Sequence, residues 1–297
     1  MIERRPRAQV VLLAGLPHGG TTITNILLGQ HPAVFSAGDL ENFPHKQLKH
    51  LCSCGEPASA CPFWLDMRNR FAAFAERDKL QRMAFLYETI CQQSGSRYVV
   101  DVCHDVRRAK ELLRNPYVDF FLVHLIRDGK AVVYSRLRLD YEIRHLTGFG
   151  WKHVRTVLRT THKWRRHVSS LAKVGEKLGS KFLQIGYEDI CQNPSHSLPK
   201  IGAFLDLDYS QVQRDLVQGR PLSQVSHLVR GKPALRRKKV REVVLTHDTR
   251  YLRDMGLPDR WLFYLFGGRI GRAHLFRVSG RPEPERRTIR TSESAPP

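Results

Sequence analysis

The segment LAGLPHGGTTITNIL, residues 13–27, joins a strand-like run to a helix-like run through glycines and threonines. The run that leads into it, QVVLLAGL at 9–16, is apolar on both faces, as expected of a strand inside a parallel sheet. Glycines allow backbone N–H groups to turn inward, and the amino end of the next helix carries partial positive charge. The segment therefore predicts a loop that binds a phosphate or a similar anion.

This loop lacks the lysine of loops that bind nucleoside triphosphates. Their pattern is G-x-x-x-x-G-K-[ST], whereas Thr21 follows Gly20 here. Without the lysine and a following hydroxyl for Mg²⁺, triphosphate chemistry is disfavoured. A glycine-rich segment indicates little by itself, and an ordinary strand-to-helix turn remains the alternative interpretation.

Strand-like and helix-like segments alternate along the chain. Strands are predicted at 9–16, 97–102, 118–126 and 182–187, with a short strand or loop at 33–40. Helices are predicted at 21–30, 66–93, 105–114, 129–138 and 150–178. Such alternation with short loops is typical of a parallel sheet with helices on both faces. We therefore predict an α/β fold with a central parallel β-sheet flanked by helices.

The composition divides the chain into one large domain with two short ends. We predict a short N-terminal arm at 1–8, one domain at 9–266, and a basic, disordered tail at 267–297 that is rich in Arg, Pro, Glu and Ser. Within the domain, residues 44–64 form an irregular insert that contains cysteines and prolines.

The chain is strongly basic, with 49 Lys and Arg against 28 Asp and Glu and a formal net charge of +21. Such a surface attracts nucleic acids, acidic lipids, glycans or phosphorylated cofactors. Zinc-finger, RNA-binding aromatic and basic heptad patterns are missing, which disfavours nucleic acid as the partner.

No apolar run is long enough to span a membrane, and the first apolar run lacks the cleavage site of a signal peptide. With six cysteines that suit reduced thiols, we predict a cytoplasmic protein.

A second anion site is predicted from FFLVHLIRDGKAVVYSRLRLD, residues 120–140. Arg127 follows the last strand residue directly, and Ser135 comes about two turns into the next helix. Both can face one anion at the carboxyl end of the sheet, the guanidinium as a bidentate donor and the hydroxyl as a single donor. The alternative is a turn at Arg127 and Asp128 with a surface serine.

These segments, in this order, resemble sulfotransferases that use 3′-phosphoadenosine 5′-phosphosulfate (PAPS). GLPHGGTTITNILLGQHPAVFSAGDL resembles the family's P-[KR]-S-G-T-T loop and the HPxVxxxGE segment of bacterial and tyrosylprotein members, and VHLIRDGKAVVYSR resembles the second family motif. CSCGEPASACPFW and VVDVCHDVRR resemble bacterial members, and IGYEDICQNPSHSLPKIGAFLDL and SHLVRGKPALR resemble later family segments. The resemblance covers residues 9–245 and extends to tyrosylprotein and carbohydrate sulfotransferases.

The resemblance implies that the domain at 9–266 is a sulfotransferase domain with an α/β, P-loop-containing nucleotide-binding fold. It would move a sulfuryl group in line, without a metal, from PAPS to an acceptor hydroxyl or amine, releasing adenosine 3′,5′-bisphosphate. The 5′-phosphosulfate would be held by Pro17, His18, Gly19, Gly20, Thr21 and Thr22. The 3′-phosphate would be held by Arg127 and Ser135, with a late basic loop closing over it at Gly231, Lys232 and Arg236. The acceptor would be a small molecule, a glycan or a peptide, and the oligomeric state is left open.

A base must take the proton of the acceptor. The resemblance makes Asp39, at the position of the family's GE glutamate, the first candidate, with Glu41 second and His104 third. Asp39 can equally be a helix cap or a turn residue. His18, expected to stabilise the leaving group, replaces the family's lysine or arginine and is cationic only below about pH 6.5 unless its site shifts it. Lys232 replaces a family asparagine, and many bacterial relatives have lysine at position 104.

The insert carries Cys52, Cys54 and Cys61 in a C-x-C-x₆-C pattern, with His45 and His50 nearby. A zinc site is conceivable, but the usual C-x₂-C pairs are absent. We therefore predict no metal site and reduced or loosely paired thiols, in an insert that could cover the acceptor pocket.

Two other functions stay open. A nucleotide kinase or hydrolase of the same architecture needs a Walker lysine and a carboxylate for magnesium, and the loop lacks the first. A non-catalytic protein that binds polyanions or nucleic acid on a degenerate sulfotransferase scaffold is compatible with His18 and with the net charge of +21. Stabilisation by adenosine 3′,5′-bisphosphate, but not by ATP–Mg²⁺, distinguishes the sulfotransferase from both.

Overall fold

The computed structural model of the chain describes residues 9–41, 43–44, 51–144, 150–223, 226–229 and 242–267. Its centre is a five-stranded parallel sheet in the order β2-β3-β1-β4-β5. The strands are β1 Gln9–Ala14, β2 Val34–Gly38, β3 Tyr98–Cys103, β4 Asp119–Ile126 and β5 Phe182–Gly186. The predicted central parallel sheet is confirmed, and the segment at 33–40 contributes a strand.

Helices connect the strands and flank the sheet. They are α1 Thr21–Leu28, α2 Pro62–Ala72, α3 Lys79–Ser94, α4 Val106–Leu113, α5 Gly129–Arg144, α6 Trp151–Glu176, α7 Tyr187–Gln192, α8 Pro194–Leu205, α9 Ser210–Val217, α10 Arg250–Asp254 and α11 Leu257–Phe266. Apart from the parallel sheet, β6 Leu222–Ser223 pairs antiparallel with β7 Glu242–Val243. The α/β class predicted from the sequence is confirmed.

The helical pattern predicted at 66–93 corresponds to two helices. The first, α2, begins at Pro62, inside the predicted irregular insert, because proline fits the first helical position, where its missing N–H is not needed. The second, α3, begins after Asp78, whose carboxylate accepts hydrogen bonds from the N–H groups of Leu80 at 2.8 Å and Gln81 at 3.1 Å. This N-cap sets the break that the apolar spacing alone does not reveal.

The core lies on both faces of the sheet because successive strand residues point to opposite sides. On one face, Val10 and Leu12 of β1 belong to a buried cluster with side chains of α2, α3 and α4. On the other face, Val11 and Leu13 pack with side chains of α1 and α8. A third cluster joins α5, α6 and α11. This packing fixes the strand ends, where the candidate site lies.

Several predicted segments fall outside the described residues. They include the arm at 1–8, the tail beyond Gly267, and Gly231, Lys232 and Arg236 of the late basic loop. Among the helices of the described ranges, none combines the length and the apolar composition that crossing a bilayer requires.

Candidate active site

The parallel sheet gathers the predicted site residues at one edge. Asp39 follows β2, His104 follows β3, the loop at 15–20 follows β1, and Arg127 follows β4. Since the spatial order is β2-β3-β1-β4-β5, these positions line the carboxyl edge in that order, with the loop between His104 and Arg127. Ligands of open parallel sheets bind at this edge.

The loop between β1 and α1 contains two left-handed residues, His18 with φ 68° and Gly20 with φ 93°. A Cβ on Gly20 would lie 2.2 Å from the ring of Tyr187, so this position requires glycine. Gly20 also occupies the N-cap position of α1, where a glycine has no side chain to cap the helix. The first N–H groups of α1 are consequently suited to bind an anion at the loop.

The other loop residues differ in exposure. Pro17 is exposed, Gly19 and Thr21 are buried, and His18 and Thr22 are half-buried. A Cβ on Gly19 would lie 2.7 Å from a backbone oxygen of the same loop, so the turn is tight there as well. The side chains of His18 and Thr22 are therefore better placed than that of Thr21 to reach a ligand.

Arg127 is buried, with 7% of its surface exposed, and its guanidinium contacts the loop directly. Its Nη1 donates a hydrogen bond to the carbonyl oxygen of His18 at 2.7 Å. The guanidinium carbon lies 5.0 Å from the ring centre of Tyr187, at the distance of a cation–π contact. The indole of Trp164 donates to the carbonyl oxygen of Arg127 at 3.0 Å. These contacts fix Arg127 between the loop, Tyr187 and α6.

Ser135, in the second turn of α5, reaches the same histidine. Its Oγ lies 3.1 Å from Nδ1 of His18. The sequence analysis assigns Arg127 and Ser135 to one anion site and the loop to another. In the structure all three meet at His18, so the two predicted anion sites are contiguous.

The polar groups around Arg127 suit an anionic ligand. Its Nε is buried and has no hydrogen-bond acceptor within the described part of the chain. A buried N–H without an acceptor costs free energy, and native proteins seldom leave one. A phosphate or sulfate oxygen is an acceptor of the kind that a guanidinium binds best. The donors at this edge are therefore of the kind that binds a phosphate or sulfate group.

Two residues that the sequence analysis did not assign to the site, Tyr187 and Glu188, begin α7 beside it. The ring of Tyr187 lies against Gly20, and the carboxylate of Glu188 accepts a hydrogen bond from the N–H of Asp128 at 3.1 Å. Burial raises the pKa of Glu188 to about 7, while the N–H of Asp128 acts in the opposite direction. Both residues belong to the YED segment of the family resemblance, but their contacts with the loop and the Arg127 turn appear only in the fold.

The candidate bases lie on the β2 and β3 side of the loop. Asp39 is half-buried, and its Oδ1 accepts a hydrogen bond from the N–H of Glu41 at 3.1 Å. Asp39 is thus a turn residue, one of the alternatives that the sequence left open. A carboxylate in this turn can also act as a base. His104 contacts the loop itself, with Nδ1 2.6 Å from the carbonyl oxygen of Gly15.

A buried ion pair supports the turn that carries Asp39. Asp101 of β3 accepts hydrogen bonds from the N–H of Leu40 at 3.0 Å and from the hydroxyl of Tyr87 at 2.6 Å. It also pairs with Nη2 of Arg108 at 3.0 Å, and both charged side chains are buried. Because breaking a buried ion pair costs about 3–5 kcal/mol, this network holds Leu40, and with it Asp39, in place.

A cavity of about 760 Å³ opens beside the loop, between α5 and α6. Its volume falls in the range of roughly 300–1,000 Å³ that is usual for small-molecule sites. His18 lines it on the loop side, and the helices contribute Arg136, Arg159 and Lys163 together with Asp140, which pairs with Arg136 at 3.2 Å. Because the basic side chains of this lining outnumber its carboxylate, the cavity suits a ligand with negative charge.

Comparison with known proteins identifies the family. A sequence profile of the sulfotransferase family matches residues 11–211, more than half of the chain. The chain belongs to the sulfotransferase family. Protein-tyrosine sulfotransferase A of Caenorhabditis elegans is 24% identical to this family member over 215 residues, which are 67% of this chain and 50% of that protein. The chain thus spans about half the length of that curated relative.

Solved structures show that this member has the sulfotransferase fold. The sulfotransferase domain from the curacin biosynthetic pathway matches with a TM-score of 0.58 at 16% identity, over 93% of this chain and 99% of that domain. Mouse sulfotransferase SULT7A1, solved in complex with PAP, matches with a TM-score of 0.53 at 14% identity, over 91% and 89% of the two chains. The predicted family and fold are confirmed.

Proposed function

We propose that this chain transfers a sulfuryl group from PAPS to a hydroxyl or amine of an acceptor, in line and without a metal at the reacting atoms. Membership of the sulfotransferase family supports sulfuryl transfer. The main support for PAPS as the sulfuryl donor is the hydrogen bond from Arg127 to the carbonyl oxygen of His18. This bond brings a buried guanidinium and a loop suited to phosphate together in one site. Bound PAPS would supply a sulfuryl group activated by its phosphate leaving group.

The first loop would bind the 5′ end of the donor. Negative charge develops there on the departing phosphate oxygen, and fixed donors stabilise such charge without having to reorganise. The N–H groups at the amino end of α1 and the hydroxyl of Thr22 would be these donors. His18 would add positive charge when protonated, and its contact with Ser135 keeps the imidazole at the loop.

Arg127 and Ser135 would bind the 3′-phosphate, the group that distinguishes PAPS from ATP. A guanidinium presents its N–H donors in a planar array that matches phosphate oxygens. The buried Nε of Arg127, which has no acceptor among the described residues, supports this role. Gly231, Lys232 and Arg236, which lie outside those residues, would close over the same phosphate.

Asp39 would take the proton of the acceptor, with Glu41 and His104 as the alternatives. A carboxylate serves as a base when it lies within hydrogen-bond reach of the reacting hydroxyl. Asp39 and Glu41 share one turn at the end of β2, and Asp101 holds that turn through Leu40. A fixed turn favours catalysis because small displacements of a catalytic group lower the rate strongly.

The acceptor that we propose to test first is a tyrosine hydroxyl in an acidic peptide. The relative from Caenorhabditis elegans is named a protein-tyrosine sulfotransferase. The chain carries a net charge of +21, and basic side chains line the cavity beside the loop. Both features favour an anionic acceptor, and anionic glycans and small molecules satisfy the same requirement.

The test is the transfer of labelled sulfate from PAPS to a panel of acceptors: an acidic tyrosine peptide, a neutral one, a glycan and a simple phenol. We expect labelled product from wild type, more with the acidic peptide than with the neutral one, and none from Arg127→Ala. No transfer to any acceptor, combined with no stabilisation by adenosine 3′,5′-bisphosphate, would contradict the proposal. Stabilisation by heparin or DNA alone, lost in moderate salt, would indicate a non-catalytic polyanion-binding protein.

The cytoplasmic location predicted from the sequence also belongs to this proposal. Fractionation of cells that express the full chain tests it, with recovery in the cytoplasmic fraction as the expected result.

A further inference from the structure

Three cysteines and one histidine meet at a point that the proposed sulfuryl transfer does not use. Cys52, Cys54 and Cys61 come from the insert, and His227 comes from the segment just before the late basic loop. One donor atom from each, three sulfurs and one imidazole nitrogen, all lie within 4.8 Å of one another. The sequence analysis predicted no metal here because the usual C-x₂-C pairs are absent. In the structure His227, far along the chain, joins the three cysteines.

The spacing of these atoms is that of a tetrahedral site. Two thiolates bound to one zinc ion lie about 3.8 Å apart, and a thiolate and an imidazole nitrogen about 3.6 Å apart, given the usual Zn–S and Zn–N bond lengths. In the structure Sγ of Cys54 is 3.7 Å from Sγ of Cys61. Nδ1 of His227 is 3.6 Å from Sγ of Cys52 and 3.2 Å from Sγ of Cys61. Small adjustments would therefore suffice to bind one ion.

The backbone turns of the insert hold the three sulfurs together. The N–H of Cys52 donates to the carbonyl oxygen of Glu56 at 2.8 Å, and the N–H of Gly55 donates back to Cys52 at 3.0 Å. Cys61 stands at the start of α2, and its N–H donates to the carbonyl oxygen of Pro57 at 2.8 Å. Cys52 and Cys61 are buried, whereas Cys54 is exposed.

Contacts with two aromatic residues of α2 hold His227 in place. Its ring stacks on Phe63, with 4.9 Å between ring centres and 3° between the planes. The indole of Trp64 donates to the carbonyl oxygen of His227 at 2.8 Å. Phe63 and Trp64 lie in the first turn of α2, two and three residues after Cys61, so one helix end supports ligands from both parts of the chain.

We propose that Cys52, Cys54, Cys61 and His227 bind one structural zinc ion. Thiolate and imidazole are the ligands that zinc prefers among divalent ions. Four protein ligands complete a tetrahedron and leave no position for water or substrate, so the ion would be structural and not catalytic. The close approach of all four donor atoms fits a single ion better than an iron–sulfur cluster.

The zinc ion would tie together two parts of the candidate active site. Val229 forms bridges both to Cys52 of the insert and to Gly38, the residue before Asp39. The N–H of Ser53 donates to the carbonyl oxygen of Leu228 at 2.9 Å. In sequence, Val229 leads into the late basic loop at 230–241. The ion would thus anchor the start of that loop beside the turn that carries the candidate base.

The first experiment is a metal measurement on the full chain, purified under reducing conditions and desalted without chelator. We expect about one zinc ion per chain by elemental mass spectrometry. Cys54→Ser should lose the zinc ion, because it removes one of the four ligands. The variant should still fold, because Cys54 is exposed and its replacement leaves the core intact. Cys91→Ser and Cys191→Ser, which alter cysteines outside the cluster, should retain the zinc ion.

A second experiment covers the case in which Cys54→Ser folds poorly. Wild type is stripped with a chelator and refilled with cobalt, which should give the absorption of tetrahedral cobalt with thiolate ligands. Zinc, but not magnesium, should restore the melting temperature lowered by the chelator. Wild type that neither retains zinc nor takes up cobalt, or a disulfide between Cys54 and Cys61 in the purified chain, would overturn the proposal. Because metal is measured directly, these outcomes are independent of sulfate transfer.

Discussion

The guanidinium of Arg127 and the carbonyl oxygen of His18 are joined by a 2.7 Å hydrogen bond that links the second motif of the chain to the first. His18 has a left-handed backbone with φ 68°, a conformation that side-chain-bearing residues seldom adopt. Arg127 therefore supports the shape of the loop and also presents its remaining N–H donors to the site. Substitutions at Arg127 should consequently affect loop shape and anion binding together.

Arg127→Lys should weaken binding of adenosine 3′,5′-bisphosphate roughly 10- to 100-fold. The variant keeps the positive charge but loses the charge-assisted hydrogen bonds that the planar guanidinium donates. Calorimetric titration measures this. Arg97→Lys is a matched control: Arg97 also lies 5.0 Å from a tyrosine ring, but it precedes β3 at the opposite edge of the sheet. Equal losses in the two variants would show that the effect is not specific to the site.

Gly20→Ala should lower the free energy of unfolding by about 2–4 kcal/mol and reduce nucleotide binding, because the new methyl group would overlap the Tyr187 ring at a left-handed position. Chemical denaturation and calorimetry measure the two effects. In Gly95→Ala the backbone is also left-handed, at φ 68°, but nothing lies within 4 Å of the new Cβ. That control should cost about 1–2 kcal/mol and leave binding unchanged. A similar loss of binding in the control would refute the role of Tyr187.

His18→Lys should retain or raise sulfate transfer near pH 8, where lysine is cationic and an ordinary histidine is largely neutral. Initial rates from pH 6 to pH 9 measure this, and the variant should depend less on pH than wild type. His196→Lys serves as the control, since it places the same charge at an exposed position of α8 outside the candidate site, and it should leave the pH profile unchanged. Abolished activity in His18→Lys would mean that the imidazole has a role other than positive charge.

Glu188→Gln should stabilise the fold at neutral and basic pH. The pKa of Glu188 rises from 4.5 to about 7 on folding, mainly through burial. The stabilising contribution of its protonated form is complete below pH 4.5 and is lost as the pH rises through 7. Because glutamine imitates the protonated form at every pH, its advantage should grow by roughly 2–3 kcal/mol from pH 5 to pH 8.

Denaturation at several pH values checks the Glu188 prediction, with Glu176→Gln on the exposed side of α6 as the control. The control should show no such trend. An advantage of Glu188→Gln that is the same at pH 5 and pH 8 would show that the carboxyl does not titrate in this interval.

Local sequence was sufficient to predict the sheet and the main features of its carboxyl edge. Apolar runs mark β1 and β4, and in a parallel sheet the residues that follow them must emerge at the same edge. This argument alone brings the glycine loop near Arg127. The break between α2 and α3 was missed because the apolar spacing continues through it, and only the cap at Asp78 marks the new helix.

Contacts between distant segments were beyond the reach of sequence patterns. Tyr187 against Gly20, Asp101 under Leu40 and His227 beside Cys61 all depend on how crossovers and loops pack in three dimensions. Each residue sits in a quoted motif or supporting segment, but no spacing rule links it to its partner. Likewise, the high pKa of Glu188 follows from burial, which a single sequence does not reveal.

The most direct measurement is calorimetric titration of the full chain with adenosine 3′,5′-bisphosphate, compared with adenosine 5′-monophosphate and ATP–Mg²⁺. Two contiguous phosphate sites predict clear binding of the bisphosphate, much weaker binding of the monophosphate, and no benefit from magnesium. At 100 times its Kd the bisphosphate should add about 2.7 kcal/mol to the free energy of unfolding. Equal affinity for the bisphosphate and the monophosphate, or no binding of either, would contradict the assignment of this edge to PAPS.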